Sequence, residues 1–274
     1  MSYIEELFSV KGKIALFTGG AGILAGATAR GLGKAGARIV LTDIAPTDDR
    51  VKEFLAEGID AYGYHMNVMD KASIEEAAAV IKKEVGVVDI LVNTAGGNKP
   101  AATTSPERSF FDLPADVLMD VFALNIMGGA ILPSQVFAKD MVANENGGVI
   151  INFSSLNTYR PLTRIPGYSS AKAAVSNFTQ WLAVHIAQEY SPKVRVNAVA
   201  PGFFLTNQNR FLLTTEDGGL TARGNSVINH TPMARFGDPD DLIGAILWLA
   251  SPASGFVTGT VVAVDGGFNA FAGV

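Results

Sequence analysis

The chain has 274 residues, 48% of them hydrophobic, and a formal net charge of -5, which suits one large α/β domain with a sizeable core. The acidic balance argues against a nucleic-acid partner, whose phosphates require a basic surface. Cysteine is absent, so disulfides, thiolate catalysis and cysteine-ligated metals are excluded, and the scattered His65, His185 and His230 show no metal-ligand spacing.

The N-terminus opens on acidic and polar residues, Ser2 to Glu6, with no basic stretch leading into an apolar one. Apolar stretches such as 242–250 fall short of the roughly 20 residues of a membrane span. A cytoplasmic protein away from membranes is expected. Strands are predicted at 13–18, 38–43, 88–93, 148–153, 194–199 and 260–264, with a weaker one at 61–66. Their continuous apolar character, without strict alternation, is what a parallel sheet covered on both faces requires. Helical patterns lie between them at 25–36, 72–84, 115–141, 168–190 and 240–250. This alternation predicts right-handed βαβ units and an α/β fold: one doubly wound, Rossmann-type domain over 1–274, with a seven-stranded parallel sheet and helices on both faces. The segment 202–237 is too rich in Phe and Leu to be a spacer and reads as an excursion packed on the domain.

The first strand runs into Thr18-Gly19-Gly20-Ala21-Gly22-Ile23-Leu24-Ala25 and then a helix. Gly20, Gly22 and Ala25 match a G-x-G-x-x-A dinucleotide fingerprint, in which glycines permit a tight turn and close approach of pyrophosphate to the backbone. Asp43 closes the second strand 21 residues after Gly22. There a carboxylate can accept hydrogen bonds from the adenosine ribose and repel the 2'-phosphate of NADP, so NAD is the expected cofactor. Asn67-Val68 and Asn93-Thr94-Ala95-Gly96 follow later strands at the same edge of the sheet, where ligands bind in open α/β folds.

Tyr168 and Lys172 share one helix face. A nearby ammonium favours the phenolate and would draw the tyrosine pKa toward working pH, making it a usable acid/base. Ser154 and Ser155 end the preceding strand, and Asn125 falls in a helix interior, where a short amide is either functional or a satisfied structural group.

Together these residues resemble the short-chain dehydrogenases/reductases across essentially the whole chain. The resemblance rests on the Thr18-Gly19 turn, Asp43, Asn93-Thr94-Ala95-Gly96, Asn125, Ser155 thirteen residues before Tyr168, Tyr168-x-x-x-Lys172, Pro201-Gly202 with Thr206, and Asp265-Gly266-Gly267. It implies that Tyr168 exchanges a proton with the substrate oxygen while hydride moves to or from nicotinamide. It further implies that Ser155 orients that oxygen, Lys172 lowers the tyrosine pKa and holds the nicotinamide ribose, and Asn125 keeps a relay water. Gly19, Gly22, Ile23, Leu24, Asp43, Asn67, Val68, Asn93, Ala95, Gly96, Tyr168, Lys172, Pro201, Gly202 and Thr206 would line the cofactor. The common loop of the family is T-G-x-x-x-G-x-G; Ile23 fits a branch that writes T-G-G-x-G-x-L-G, and Ala25 departs from both. Asn67 stands where the family usually has Asp.

That branch resembles D-mannonate oxidoreductases (fructuronate reductases), through Ala95-Gly96-Gly97-Asn98, the stretch 157–166 and the stretch 201–210. A sugar acid suits the residues: Asn98, Asn157, Gln208 and Asn209 can both donate and accept, with Ser155 at the reacting oxygen. Arg160 or Arg164 could grip a carboxylate, or either could form surface or subunit contacts. His230 is a further pocket candidate. The segment 202–237 would be a substrate lid, and the resemblance implies a homotetramer paired through the helices bearing Asn125 and Tyr168. The rival readings are another polyol, gluconate or 3-oxoacyl reductase and, in a different class, a non-catalytic dinucleotide-binding regulator.

Overall fold

The computed structural model describes residues 2–206 and 209–273. Seven parallel strands form one sheet in the order β3-β2-β1-β4-β5-β6-β7: β1 (Ile14–Thr18), β2 (Arg38–Asp43), β3 (Ala61–His65), β4 (Ile90–Asn93), β5 (Gly148–Phe153), β6 (Val194–Pro201) and β7 (Val261–Val264). β1, β4 and β5 are buried on both faces almost throughout, which explains their unbroken apolar runs. Side chains alternate between two cores. Phe17, Ile39, Leu41 and Ile151 face one, and Leu16, Val40, Leu91 and Ile150 face the other.

The first core is covered by α2 (Ile23–Lys34) and α10 (Ile243–Ala250), with α3 (Asp48–Ala56) contributing Phe54. The second is covered by α4 (Lys71–Glu84), α6 (Leu132–Ala143) and α7 (Pro166–Glu189). A short α1 (Tyr3–Leu7) precedes the sheet. The strand order reverses between β1 and β4, and the crevice at their carboxyl ends is where ligands bind in such sheets.

The predicted helix 115–141 is three pieces: α5 (Ala115–Phe122), a π-helical segment (Ala123–Ile131) and α6. The π segment brings Gly128 and Gly129 against the loops after β3 and β4. A Cβ on Gly129 would lie 2.6 Å from the Ala95 carbonyl oxygen, so the helix backbone approaches the ligand edge as closely as glycine permits. The whole run Ala115–Ala143 has 29 residues and a mean hydropathy of 1.6 in its most apolar window. Length and composition alone would let it cross a membrane, a test that the core helix of a folded domain passes as well. Asp116, Asp120, Asn125 and Pro133 disguise its length, and here it packs along α4 and α7 over the sheet.

α3 was missed in the sequence because Phe54 is its only buried residue, leaving no apolar period to detect. Two short helices follow β6, α8 (Arg210–Leu213) and α9 (Ala222–His230), seated through buried Leu213 and Val227.

Candidate active site

Three strand ends and two helices bring the predicted chemistry together. Ser154 and Ser155 follow β5, and their neighbour Ser154 is a fastener: its Oγ donates to the Lys172 carbonyl at 3.0 Å and lies 2.7 Å from Ser176 Oγ. This ties the β5 exit to α7. Pro166 opens α7, where its missing N–H costs nothing, and Tyr168 and Lys172 follow on one face. The Tyr168 hydroxyl hydrogen-bonds Ser155. Lys172 Nζ donates to the Phe153 carbonyl at 2.8 Å and stands 5.7 Å from the Tyr168 ring centroid.

Asn125, fully buried in the π segment, is satisfied by backbone. Its Oδ1 accepts from the Gly97 N–H at 3.1 Å, and its Nδ2 donates to the carbonyls of Gly97 at 2.7 Å and Val121 at 2.8 Å. Gly96 joins it to the lysine: a Cβ there would lie 2.7 Å from Asn125 Oδ1 and 3.2 Å from Lys172 Nζ. Asn125 and Lys172 therefore meet at Gly96, with Tyr168 beside the lysine and Ser155 beside Tyr168.

The electrostatics differ from the sequence expectation. Burial pushes the Tyr168 phenol above its ordinary pKa, and the Ser155 hydrogen bond opposes that rise only in part. Lys172 does not bring the phenol down, because its ammonium is turned to the Phe153 carbonyl. Burial also lowers Lys172 itself, to about 8.

The cofactor residues form a continuous rim. Gly19 has φ 66° and lies so close to β4 that a Cβ would be 3.0 Å from Ala95 Cα. Thr18 Oγ1 accepts from the N–H groups of Thr94 and Ala95, and the Thr94 hydroxyl donates to the Thr18 carbonyl, clamping the crevice walls together. Gly22 caps α2 with no side chain, and the first turn of α2 holds no acid. Its uncapped N–H groups, beside Ile23 and Leu24, suit an anion. Asp43 accepts from the N–H groups of Ala21 and Ala45, both at 3.0 Å. These donors and the glycine cradle fit a dinucleotide. Asn67 is turned back on its own loop, accepting from the Met69 N–H at 3.0 Å, and Val68 is buried beside Gly128. Asn93 is fully buried, its Nδ2 donating to Ser134 Oγ and Asn152 Oδ1. Pro201 and Gly202 end β6 against β7, with the Gly202 N–H on the Val264 carbonyl at 2.9 Å, and Thr206 is held by Asn209 Oδ1 at 2.8 Å.

The substrate candidates scatter more. Asn157 is buried and occupied: its Nδ2 donates to Ser155 Oγ at 3.0 Å, and its Oδ1 accepts from the Ser169 hydroxyl at 2.7 Å and the Leu162 N–H at 3.0 Å. It positions Ser155 rather than presenting an amide to a ligand. Asn98 is exposed and bonds Thr103. Arg160 is turned to the C-terminal segment, donating to the Phe271 carbonyl at 3.2 Å. Arg164 is exposed and makes no ion pair among the described residues. Gln208 lies outside the described residues. His230 packs edge-on against Phe268 and Phe271, at 4.6 and 5.2 Å between ring centroids.

Sequence reasoning missed Arg223 on α9, whose pKa is lowered first by burial and then by the charge of Arg164. It also missed Arg50, described below. Neither lies in a motif, and only folding gives them their neighbours. A cavity of about 670 Å³ opens between the 104–110 loop and the stretch from Pro161 to Ser170; none of Ser155, Tyr168, Lys172 or Asn125 lines it. Among the described residues no His, Asp and Glu cluster could hold a metal ion.

A family model described as enoyl-(acyl carrier protein) reductase matches residues 20–269. An uncharacterized oxidoreductase of Bacillus subtilis, UxuB, is 45% identical over 97% of this chain and 98% of its own. A 5-keto-D-gluconate 5-reductase of Escherichia coli is 36% identical over 96% and 98%. A crystal structure from Haemophilus influenzae, described as a candidate D-mannonate oxidoreductase with bound NAD, superposes with a TM-score of 0.91 at 44% identity, covering 97% of this chain and 98% of that one.

Proposed function

The chain belongs to the short-chain dehydrogenase/reductase family and is an NAD(H)-dependent oxidoreductase of CH–OH groups; from that premise we propose that it interconverts a secondary alcohol and a ketone on a sugar acid, D-mannonate and D-fructuronate above all. The observation that carries the chemistry is the run of neighbours Ser155, Tyr168, Lys172 and Asn125 that ends at Gly96. The sugar acid is supported by relatives named for gluconate and mannonate chemistry and by Arg164 and Arg223, whose charges reach one another and which make no ion pair among the described residues.

When bound, the dinucleotide supplies or takes up the hydride. In the reducing direction the Ser155 hydroxyl donates to the substrate carbonyl oxygen, kept in place by Asn157. Tyr168 then gives its phenolic proton to that oxygen as hydride arrives at carbon, so the ketone gains one hydride and one proton. Lys172 stabilises the resulting phenolate once its ammonium turns from the Phe153 carbonyl toward it. Asn125 holds Gly96-Gly97 and so fixes the wall against which ammonium and phenol are aligned. Oxidation runs the same proton in reverse, with phenolate as base.

The segment 202–237 acts as the lid, and the chain works as a single domain in a cytoplasmic homotetramer. Exposed apolar side chains on α5 and α7, Met119, Trp181 and Val184, support the subunit contact. The deciding experiment follows NADH oxidation against a panel of keto-sugar acids, D-fructuronate first, with 5-keto-D-gluconate and acetoacetyl esters alongside and NADPH in parallel. Turnover of fructuronate with NADH supports the assignment; turnover of 5-keto-D-gluconate alone moves it to the gluconate branch. Turnover of acetoacetyl esters alone removes the sugar acid.

A further inference from the structure

Beside the ribose end of the cofactor site lies a cation that the reaction does not use. Arg50 occupies the first turn of α3 and reaches across to the glycine loop. Its Nη2 donates to the Ala21 carbonyl at 3.2 Å. Its Nη1 fills the space over α2 that only a glycine leaves open, for a Cβ on Gly26 would lie 1.2 Å from it. Ala21 is also the residue whose N–H donates to Asp43 at 3.0 Å. Carboxylate and guanidinium thus hold one residue of the glycine loop from its two backbone groups.

No carboxylate lies within ion-pair distance of Arg50 among the described residues. Glu53 on its own helix acts on Arg50 only at a distance and is ion-paired to Arg30 at 3.3 Å. Arg50 is half-buried, and burial lowers its pKa. A partly desolvated guanidinium without an anion is unfavourable, because lost hydration is not replaced. A ribose with two hydroxyls does not answer that charge. A phosphate monoester on the 2'-oxygen would, since a guanidinium binds two phosphate oxygens at once.

We propose that Arg50 is a phosphate-binding residue masked by Asp43. The carboxylate repels the 2'-phosphate and so selects NAD; once it is neutralised, the guanidinium already in place holds the 2'-phosphate of NADP. This rests on the dinucleotide reading of the glycine loop. Discrimination then belongs to a pair drawn from β2 and α3, and the glycine at position 26 leaves the room through which the arginine passes.

The test is a binding titration, without turnover, of NAD+ and NADP+ to the wild type, Asp43→Asn, Arg50→Met, Arg50→Lys and the double variant Asp43→Asn/Arg50→Met, at low and high salt. Asp43→Asn is expected to tighten NADP+ about tenfold or more, as expected for a charge-assisted pair. The gain should shrink at high salt and vanish in the double variant. In the wild-type background Arg50→Met should weaken the residual NADP+ affinity more than NAD+ affinity, and Arg50→Lys should restore part of it. A gain that survives in the double variant overturns the proposal. So does an Asp43→Asn protein that binds NAD+ but gains nothing for NADP+. If Asp43→Asn binds neither dinucleotide, equal weakening of NAD+ and NADP+ by Arg50→Met overturns it. Failure of the wild type to bind either dinucleotide would instead remove the cofactor reading itself.

Discussion

The two halves of the crevice are built differently. On the cofactor side, β1, β2 and β4 present backbone: Gly19 against Ala95, Thr18 clamped to Thr94, and Ala21 held by Asp43. On the substrate side, β5 and β6 present loops and side chains, with Arg164 and Asn98 exposed and Arg160 turned to the tail. A dinucleotide is one fixed shape, and a backbone cradle locked by sterics recognises it without adjustment. Sugar acids differ by a single stereocentre, and recognition there falls to side chains on loops, which vary while the scaffold stays put. Chemistry occupies the seam between them, on residues anchored from both sides.

Substitutions can break or sharpen this contrast. At the seam, Tyr168→Phe should lower kcat by about 10²- to 10⁴-fold and leave NADH binding intact, measured by fluorescence titration. An equal loss of both would mean the halves are not separable. On the cofactor side, Gly129→Val should be the most disruptive packing change, because even a Cβ meets the Ala95 carbonyl oxygen at 2.6 Å. We expect destabilisation of about 1–3 kcal/mol, read by denaturant unfolding, with weakened NADH binding. On the substrate side, Arg164→Ala should raise KM for a sugar acid by about ten- to a hundredfold, the worth of a hydrogen bond to a charged group, and leave NADH affinity unchanged. An unchanged KM would move the carboxylate away from this arginine.

The smallest effect is on pH dependence. Oxidation needs the phenolate, and burial raises the Tyr168 pKa, so the oxidation rate should still be climbing on the alkaline side of neutrality. Ser155 lowers that pKa by hydrogen bonding. Ser155→Ala should therefore shift the rising limb further up in pH as well as slowing the reaction, as checked by a kcat profile in the oxidising direction. A limb that moves down would contradict the assigned hydrogen bond.

The same contrast governs what the sequence discloses. Strand positions were legible because burial on both faces writes itself as an apolar run, and the glycine turn and Tyr168-x-x-x-Lys172 because a local geometry demands fixed spacing. Two side chains have partners that spacing does not disclose. Asn157 reads as a free amide until Ser169 and Leu162 fold onto it, and Asn93 meets Asn152 only when β5 arrives beside it. Arg50 and Arg223 carry no local signature, since α3 and α9 bury too little to set a period. The expectation for Tyr168 failed for another reason. Proximity of an ammonium was visible in the spacing, but its preference for the Phe153 carbonyl was not.

The π-helical segment Ala123–Ile131 has a consequence for how this chain can change over generations. Each added or removed residue turns everything downstream by about 100° around a helix axis. Removing one residue between Asn125 and Leu132 would regularise the helix, because the wider π turn is where an extra residue is taken up, and would leave Val136, Phe137 and Met141 on the core they fill. Removing one before Asn125 would carry the amide away from Gly97. A shorter descendant that keeps the amide should therefore have lost its residue after Asn125 and hold a plain α-helix here.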